Sequence, residues 1–281
     1  MPELPEVETT RRGIEPHVTG ATIVEVNIRQ PSLRWPIPDQ IGTLANTSIS
    51  HVARRGKYLL LACSHRGNKK NAEKQLGTVI LHLGMSGSLR ICAADAELRK
   101  HDHLQFILDN GYASRLHDPR RFGCALWCEG DPMGHPLLVK LGPEPLSNAF
   151  NAESLFKASR KRKVAVKNFI MSSQTVVGVG NIYASESLFM SGIRPGRAAM
   201  RVTRAEYITL TDNIKTVLSS AIKMGGTTLR DFVNSDGNPG YFAQQLLVYG
   251  RENEPCRTCK TLIRNKVIGQ RSSFYCPECQ R

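Results

Sequence analysis

Hydrophobic and polar positions follow two rhythms along this chain. Up to about residue 130 the apolar runs are short and strand-like; beyond residue 145 they recur at the three-to-four spacing of helices. The first residues are an exception. Over 3–15, Leu4, Val7 and Ile14 fall on one side of an amphipathic helix, which Pro16 and Gly20 are expected to end. Short β-rich runs follow at 21–29, 58–63, 78–83, 88–92, 104–108 and 122–128. Turn signals such as Gly84-Met85-Ser86-Gly87 and Asp109-Asn110-Gly111 divide them. Their spacing predicts an antiparallel sandwich or barrel rather than βαβ units. The polar, basic stretch 64–75 reads as a solvated loop lengthening one hairpin.

After Gly142-Pro143-Glu144-Pro145 the texture turns helical. The clearest helix opens on a capping box, Thr203-Arg204-Ala205-Glu206. It continues through Tyr207, Leu210, Ile214, Val217, Ala221 and Ile222, and stops at Gly225-Gly226. A shorter helix is predicted to start at Asn181, behind Val177-Gly178-Val179-Gly180. The Gly/Asn-rich segment 234–240 reads as a mobile loop, and no internal repeat is present. The expected organisation is an α+β chain of several domains: 1–135, 136–240 and 241–281.

Charge narrows the partners. The 281 residues carry 38 Lys and Arg against 24 Asp and Glu, a formal net charge of +14. Such a surplus favours a polyanion, nucleic acid first and an anionic membrane surface second. No apolar run approaches the roughly 18–20 residues a bilayer requires, and the N-terminus lacks a secretory pattern. A cytoplasmic protein that does not act on membranes is expected. Eight cysteines in such a chain point to reduced thiols or metal ligands before disulfides.

Four of those cysteines carry the strongest spacing signal. Cys256-x₂-Cys259 and Cys276-x₂-Cys279 are separated by residues 260–275, enough for a hairpin that brings the pairs together. Four thiolates so placed suit one tetrahedral, structural Zn²⁺. Two redox C-x-x-C pairs would need a βαβ setting that is missing here. Cys63, Cys92, Cys124 and Cys128 are expected to be buried small apolar residues.

Several basic clusters could meet phosphate: Arg54-Arg55-Gly56-Lys57, Asp118-Pro119-Arg120-Arg121-Phe122-Gly123, and six cations within 157–167. The turn before Asn181 could offer backbone N–H groups, although a simple glycine turn explains it locally. His101-Asp102-His103 is a weak metal candidate; His101 reads better as a hydrogen-bonding group at a strand start. The opening Met1-Pro2-Glu3-Leu4-Pro5-Glu6 is chemically suggestive. Removal of Met1 would leave Pro2 with a secondary α-amine of pKa near ~8, against about 10.4 for lysine. A neutral amine of that kind can attack an electrophilic carbon and form a Schiff base. Taken alone, an ordinary helix start accounts for the same residues.

Taken together, these blocks resemble the bacterial formamidopyrimidine-DNA glycosylases. The resemblance runs through residues 2–9, Arg55-Gly56-Lys57-Tyr58-Leu59, His82–Gly87, Lys100–His103, Asp118–Gly123, Leu141–Leu146, Gly178–Glu186, 237–242 and the cysteine ribbon. It implies a helix-led antiparallel β-sandwich, a helix–two-turns–helix domain and a C-terminal zinc-ribbon hairpin, with DNA in the cleft between. It also implies a monomeric base-excision repair enzyme of the nucleoid, acting on double-stranded DNA that contains oxidised purines or abasic sites. By position, Pro2 is then the nucleophile on C1′ and Glu3 the acid that opens the sugar, with Glu6 near enough to assist. Lys57 becomes the proton donor of β-elimination, and Arg271 the residue of δ-elimination. His101, Arg120, Arg162 and Asn181 become DNA contacts, and Met85, Arg120 and Phe122 fill the gap left by an extruded base. Residues 225–241 would cover that base. Position 162 is Arg where the family often has Lys, and 64–75 looks longer than usual. An endonuclease VIII type enzyme for oxidised pyrimidines, or a catalytically silent DNA-binding protein on the same scaffold, are the alternatives.

Overall fold

The computed structural model describes residues 2–65, 75–227 and 242–281. It separates into two units, Met1–Val139 with Gly225–Tyr241, and Lys140–Met224 with Phe242–Arg281.

The first unit begins with helix α1, Leu4–Val18. Glu3 caps it, a proline sits in its first turn, and Glu6 Oε2 accepts the Glu3 N–H at 2.8 Å. Leu4, Val7, Ile14 and Val18 are buried. The helix therefore passes through Pro16 instead of ending there. Proline removes one amide donor, but Thr19 N–H still reaches Glu15 O at 3.1 Å, and burial of Val18 offsets the loss.

Strands β1 (Ile23–Ile28), β2 (Thr47–Arg55), β3 (Tyr58–His65), β4 (Gln75–His82), β5 (Ser88–Ala93), β6 (Asp102–Leu108), β7 (Tyr112–His117) and β8 (Cys124–Cys128) follow, with a short helix α2 (Asp39–Gly42) after β1. They form two antiparallel four-stranded sheets, β1-β6-β7-β5 and β2-β3-β4-β8. Ile23, Phe106 and Leu116 from one sheet join Leu59, Leu61 and Leu81 from the other, with Ile14 of α1, in one apolar cluster. This is the sandwich form of the two expected alternatives. Strands β2 and β7 escape a hydrophobic pattern search. In β7, polar Ser114 and Arg115 are as buried as Ala113 and Leu116, so the period of two disappears. The ends of the predicted 64–75 loop belong to β3 and β4; its centre, 66–74, and the 234–240 segment lie outside the described residues. Cys63 and Cys124 are buried as expected, whereas Cys92 and Cys128 are only half-buried.

The second unit contains α3 (Ala152–Ser159), α4 (Val166–Met171), α5 (Asn181–Met190), α6 (Arg204–Lys223) and a hairpin of β9 (Arg264–Ile268) and β10 (Arg271–Tyr275). The capping box at Thr203 forms as predicted. Helix α5 is buried on nearly all sides, so its apolar pattern has no polar stripe. Within it, Glu186 accepts the N–H groups of Leu247, Val248 and Tyr249 at 2.8–3.0 Å. That carboxylate ties α5 to the segment leading into the hairpin.

Arg197, which hydrogen-bonds Glu206, outweighs partial burial and holds that carboxyl down to about 2 from its ordinary 4.5. Its stabilising effect is therefore complete above pH 4.5 and is lost as pH falls towards 2. Thermal unfolding of Glu206→Gln should show a lower midpoint than the parent at pH 7 and a narrower gap near pH 3. A gap independent of pH would contradict this pairing.

Candidate active site and nucleic-acid interface

In the first unit the chemistry starts at the head of α1. Pro2 is buried, and Glu3 and Glu6 are 3% and 2% exposed. Besides holding the Glu3 amide, Glu6 accepts the Thr227 N–H through Oε1 at 2.8 Å. A Cβ on Gly226, whose φ is +83°, would lie 3.1 Å from that same oxygen. Glu6 thus uses both oxygens on backbone amides, which makes it a clamp between the helix start and residues 226–227.

Lys57 stands in the turn between β2 and β3, after Gly56 at φ +58°. Glu8 connects this turn to α1. Its carboxylate meets Arg12 Nε at 2.8 Å, Arg54 Nε at 3.0 Å and Arg11 Nη2 at 3.1 Å, and Arg54 Nη1 donates to Gly56 O at 2.8 Å. Burial alone would raise the Glu8 carboxyl; hydrogen bonds from Arg11, Arg12 and Arg54 hold it down to about 2 instead. Tyr58 lies opposite His82 on the neighbouring strand, their rings 4.9 Å apart. Burial, then the charges of Lys57 and Arg34, lower His82 to about 4, so it is neutral at pH 7. Its Nδ1 accepts the Gly84 N–H at 3.0 Å and leads the chain into the next turn.

That turn carries Met85. Gly84, at φ +66°, packs so closely on the opposite turn that a Cβ would sit 2.5 Å from Gly123 N and 2.6 Å from Phe122 C. Asp118 Oδ2 accepts the Gly123 N–H at 2.7 Å, and Arg120 Nε donates to Ser86 Oγ at 2.9 Å. Two turns far apart in sequence are therefore locked together. Met85 and Phe122 project from them 40% and 50% exposed, with Arg120 alongside. Exposed apolar side chains beside a guanidinium can enter a base stack and satisfy an orphaned base. Nearby, His101 lies 6.0 Å ring to ring from His103 and 5.9 Å from His117, and His103 Nε2 donates to Asp118 O at 2.9 Å.

In the second unit the basic run 157–167 divides. Lys157 pairs with Glu153, and Arg160 is spent on the carbonyls of Phe156, Ala199, Met200 and Val202. Lys167 is fully buried, with Nζ on Ser272 O at 2.8 Å and Ser273 Oγ at 2.7 Å. Lys161, Arg162 and Lys163 are exposed, as is the ion-paired Lys157, and Arg162 lines a cavity of about 490 Å³ with Asn151, Ser154 and Asn168. Asn181, at the start of α5, donates from Nδ2 to Ser272 O at 3.0 Å. Ser272 follows Arg271 in β10, so the helix residue Asn181 is anchored one residue from the exposed Arg271.

The four predicted cysteines converge. Their sulfurs lie within 4.8 Å of one another, with Cys259–Cys276 at 3.4 Å and Cys256–Cys279 at 3.9 Å. Tetrahedral Zn–S bonds of ~2.3 Å require sulfurs about 3.8 Å apart, so the donor set fits one structural zinc ion. Among the described residues no other group of three or more His, Cys, Asp or Glu is close enough to share a metal.

Glu8, Gly84 and Gly123 support the site without having been singled out for it from sequence, and Arg54 and Lys167, expected to meet phosphate, are engaged with Glu8 and with Ser272 and Ser273 instead. Glu8 with Arg11 and Arg12 has a readable helical spacing; the others depend on contacts between distant segments.

Three domain models match consecutive parts of the chain. The model of the formamidopyrimidine-DNA glycosylase N-terminal domain matches residues 1–125, that of the H2TH domain 141–233, and a zinc finger found in FPG and IleRS 253–281. A formamidopyrimidine-DNA glycosylase from Thioalkalivibrio sulfidiphilus is 56% identical over the full length of both chains. Wild-type Lactococcus lactis Fpg in complex with an N7-benzyl-Fapy-dG containing DNA is 31% identical, with a TM-score of 0.88 and all of each chain covered. The same protein with an abasic site containing DNA gives 30% identity and a TM-score of 0.88, over 99% of each chain.

Gly84→Ala should cost about 1–3 kcal/mol, because a methyl group meets backbone and the residue must keep a positive φ. Gly111→Ala, at φ +83° with nothing within 4 Å of the added Cβ, isolates the conformational cost alone. Thermal unfolding should rank Gly84→Ala clearly below Gly111→Ala. Equal losses would refute the interlocked turns.

Proposed function

The chain belongs to the formamidopyrimidine-DNA glycosylase family, and from that membership and the site geometry we propose how it processes damaged DNA. It is a DNA glycosylase of base-excision repair with the associated lyase activity at abasic sites. Its substrate is double-stranded DNA carrying oxidised purines or abasic sites, and it works as a monomer at the bacterial chromosome. Residues 1–135 supply catalysis, 136–240 DNA binding, and 241–281 the zinc finger. Among the described residues no helix is long and apolar enough to cross a membrane.

A duplex shields C1′, so the damaged nucleotide leaves the stack at a cost of a few kcal/mol. Met85 and Phe122 occupy the vacated space, and Arg120 hydrogen-bonds the orphaned partner base. The Pro2 nitrogen, freed of Met1, attacks C1′, and the bond from C1′ to the damaged base breaks. Glu3 protonates the sugar ring oxygen, so the ring opens and a Schiff base remains between Pro2 and C1′. Loss of a C2′ proton to water then forms the C2′–C3′ double bond and expels the 3′ phosphate, with Lys57 as proton donor to the leaving oxygen. A second elimination, assisted by Arg271, expels the 5′ phosphate. His101, Arg162 and Asn181 hold the DNA backbone. The zinc ion fixes the fold of the hairpin; Asn181 and Lys167 hold its Ser272 end. The observation that carries this reading is the buried Pro2-Glu3 start, held in place by Glu6.

A chain that retains Met1 should bind a duplex containing 8-oxoguanine opposite cytosine nearly as tightly as the processed chain, yet fail to nick it. Equal nicking by both forms would overturn the role of Pro2. Removing zinc with a chelator, or by Cys259→Ser, should loosen the hairpin bearing Arg271 and weaken DNA binding. Unchanged affinity after complete zinc loss, measured by metal analysis on the same sample, would contradict that part.

A further inference from the structure

Beside the turn that carries Arg120 lies a cavity of about 360 Å³, lined by Arg90, Arg99, Arg120, His117, Ser86 and Ser88. Three guanidiniums converge on it. The acid that meets these groups is already committed: Asp102, 1% exposed, accepts from Arg90 Nη2 at 2.7 Å and the Arg99 N–H at 3.0 Å, and is hydrogen-bonded to His117 Nδ1 at 2.9 Å. It orients these groups and leaves a positive balance. Arg90 is itself buried, and among the described residues its Nε has no hydrogen-bond partner.

The rim is also fixed. Arg29 Nη1 donates to the carbonyls of Arg99 and Asp102 at 3.0 and 3.2 Å. Arg115, 2% exposed, donates to those of Ala94, Ala96 and Glu97 at 2.7–3.2 Å. The loop that presents the exposed Arg99 side chain is thus tied down by two other arginines. Preset guanidiniums with hydroxyls between them match a tetrahedral oxyanion.

We propose that this cavity is a phosphate-binding site for the DNA strand opposite the lesion, taking a phosphodiester next to the base that Arg120 contacts. The proposal rests on the assignment of Arg120 to the orphaned base. Arg120 is shared between cavity and turn, through its bond to Ser86 beside Met85. A phosphate held by Arg90 and Arg99 would set the register of that strand before the gap-filling side chains enter. The site would take part in no bond-making step.

The test uses the full-length, zinc-loaded protein and a duplex with a stable abasic-site analogue, so that binding is read without chemistry. Arg99→Ala changes an exposed side chain and spares the buried pair of Arg90 and Asp102. It should weaken binding several-fold, up to about tenfold, and lower the magnitude of the log–log salt slope by about 0.9. Replacing single phosphates of the opposite strand by neutral methylphosphonates should weaken the parent protein at one or two positions near the orphaned base. At those positions the replacement should have no further effect on Arg99→Ala. Additive losses at every position would overturn the proposal. So would inorganic phosphate binding that depends on Arg99 while DNA affinity does not. Borohydride trapping at saturating lesion duplex should be the same for parent and Arg99→Ala. Absence of trapping in both would count against the excision reading and leave the phosphate measurement standing.

Discussion

The start of the chain depends on one carboxylate. Glu6 holds the Glu3 amide with one oxygen and the Thr227 amide with the other, both at 2.8 Å and both away from solvent. Chain termini are ordinarily the least ordered part of a protein. A terminal amine can serve as a nucleophile only if that freedom is removed. Here an N-terminal cap, a proline in the first turn and burial of Leu4 and Val7 remove it together, and hydrogen bonds to a buried carboxylate are each worth about 1.5–3 kcal/mol. The same carboxylate reaches residue 227, so the helix start and the beginning of the segment expected to cover the extruded base share one anchor.

The remaining parts of the first unit follow from that fixed point. Glu8, in the second turn of the same helix, holds Arg54, and Arg54 holds the Gly56 carbonyl beside Lys57. The proposed nucleophile and proton donor are thereby tied to one rigid element. On the strands beyond, Gly84 and Gly123 let the turn that carries Met85 and the turn that carries Phe122 approach at backbone distance. Rigid support of this kind suits the proposed role of Met85 and Phe122 in an emptied base stack. In the second unit, Lys167 and Asn181 converge on Ser272 and fix the strand that begins with Arg271.

What was readable in the sequence shared one property: its cause was local. The cysteine spacing specifies a tetrahedral site within 24 residues, 256–279, and the structure closes it. The Thr203–Glu206 capping box and the helix behind Gly180 form where predicted. Strands β2 and β7 were not readable, because buried Ser, Thr and Arg residues break their alternation. The basic run 157–167 looked uniform, yet Arg160 is consumed by carbonyls and Lys167 is buried; only tertiary contacts make that division. Pro16 misled because a proline near a helix end costs a single hydrogen bond, which burial of Val18 outweighs. The site residues came through the family resemblance, and no local rule distinguishes Pro2-Glu3 from an ordinary helix start.

The central claim is that the secondary amine of Pro2 becomes bonded to the sugar. Borohydride reduction during turnover on a formamidopyrimidine duplex, followed by peptide mass mapping of the trapped protein, tests it directly. The account predicts one adduct, carried by the N-terminal peptide and localised to Pro2. An adduct on a lysine such as Lys57, or base release with no adduct at all, would contradict it.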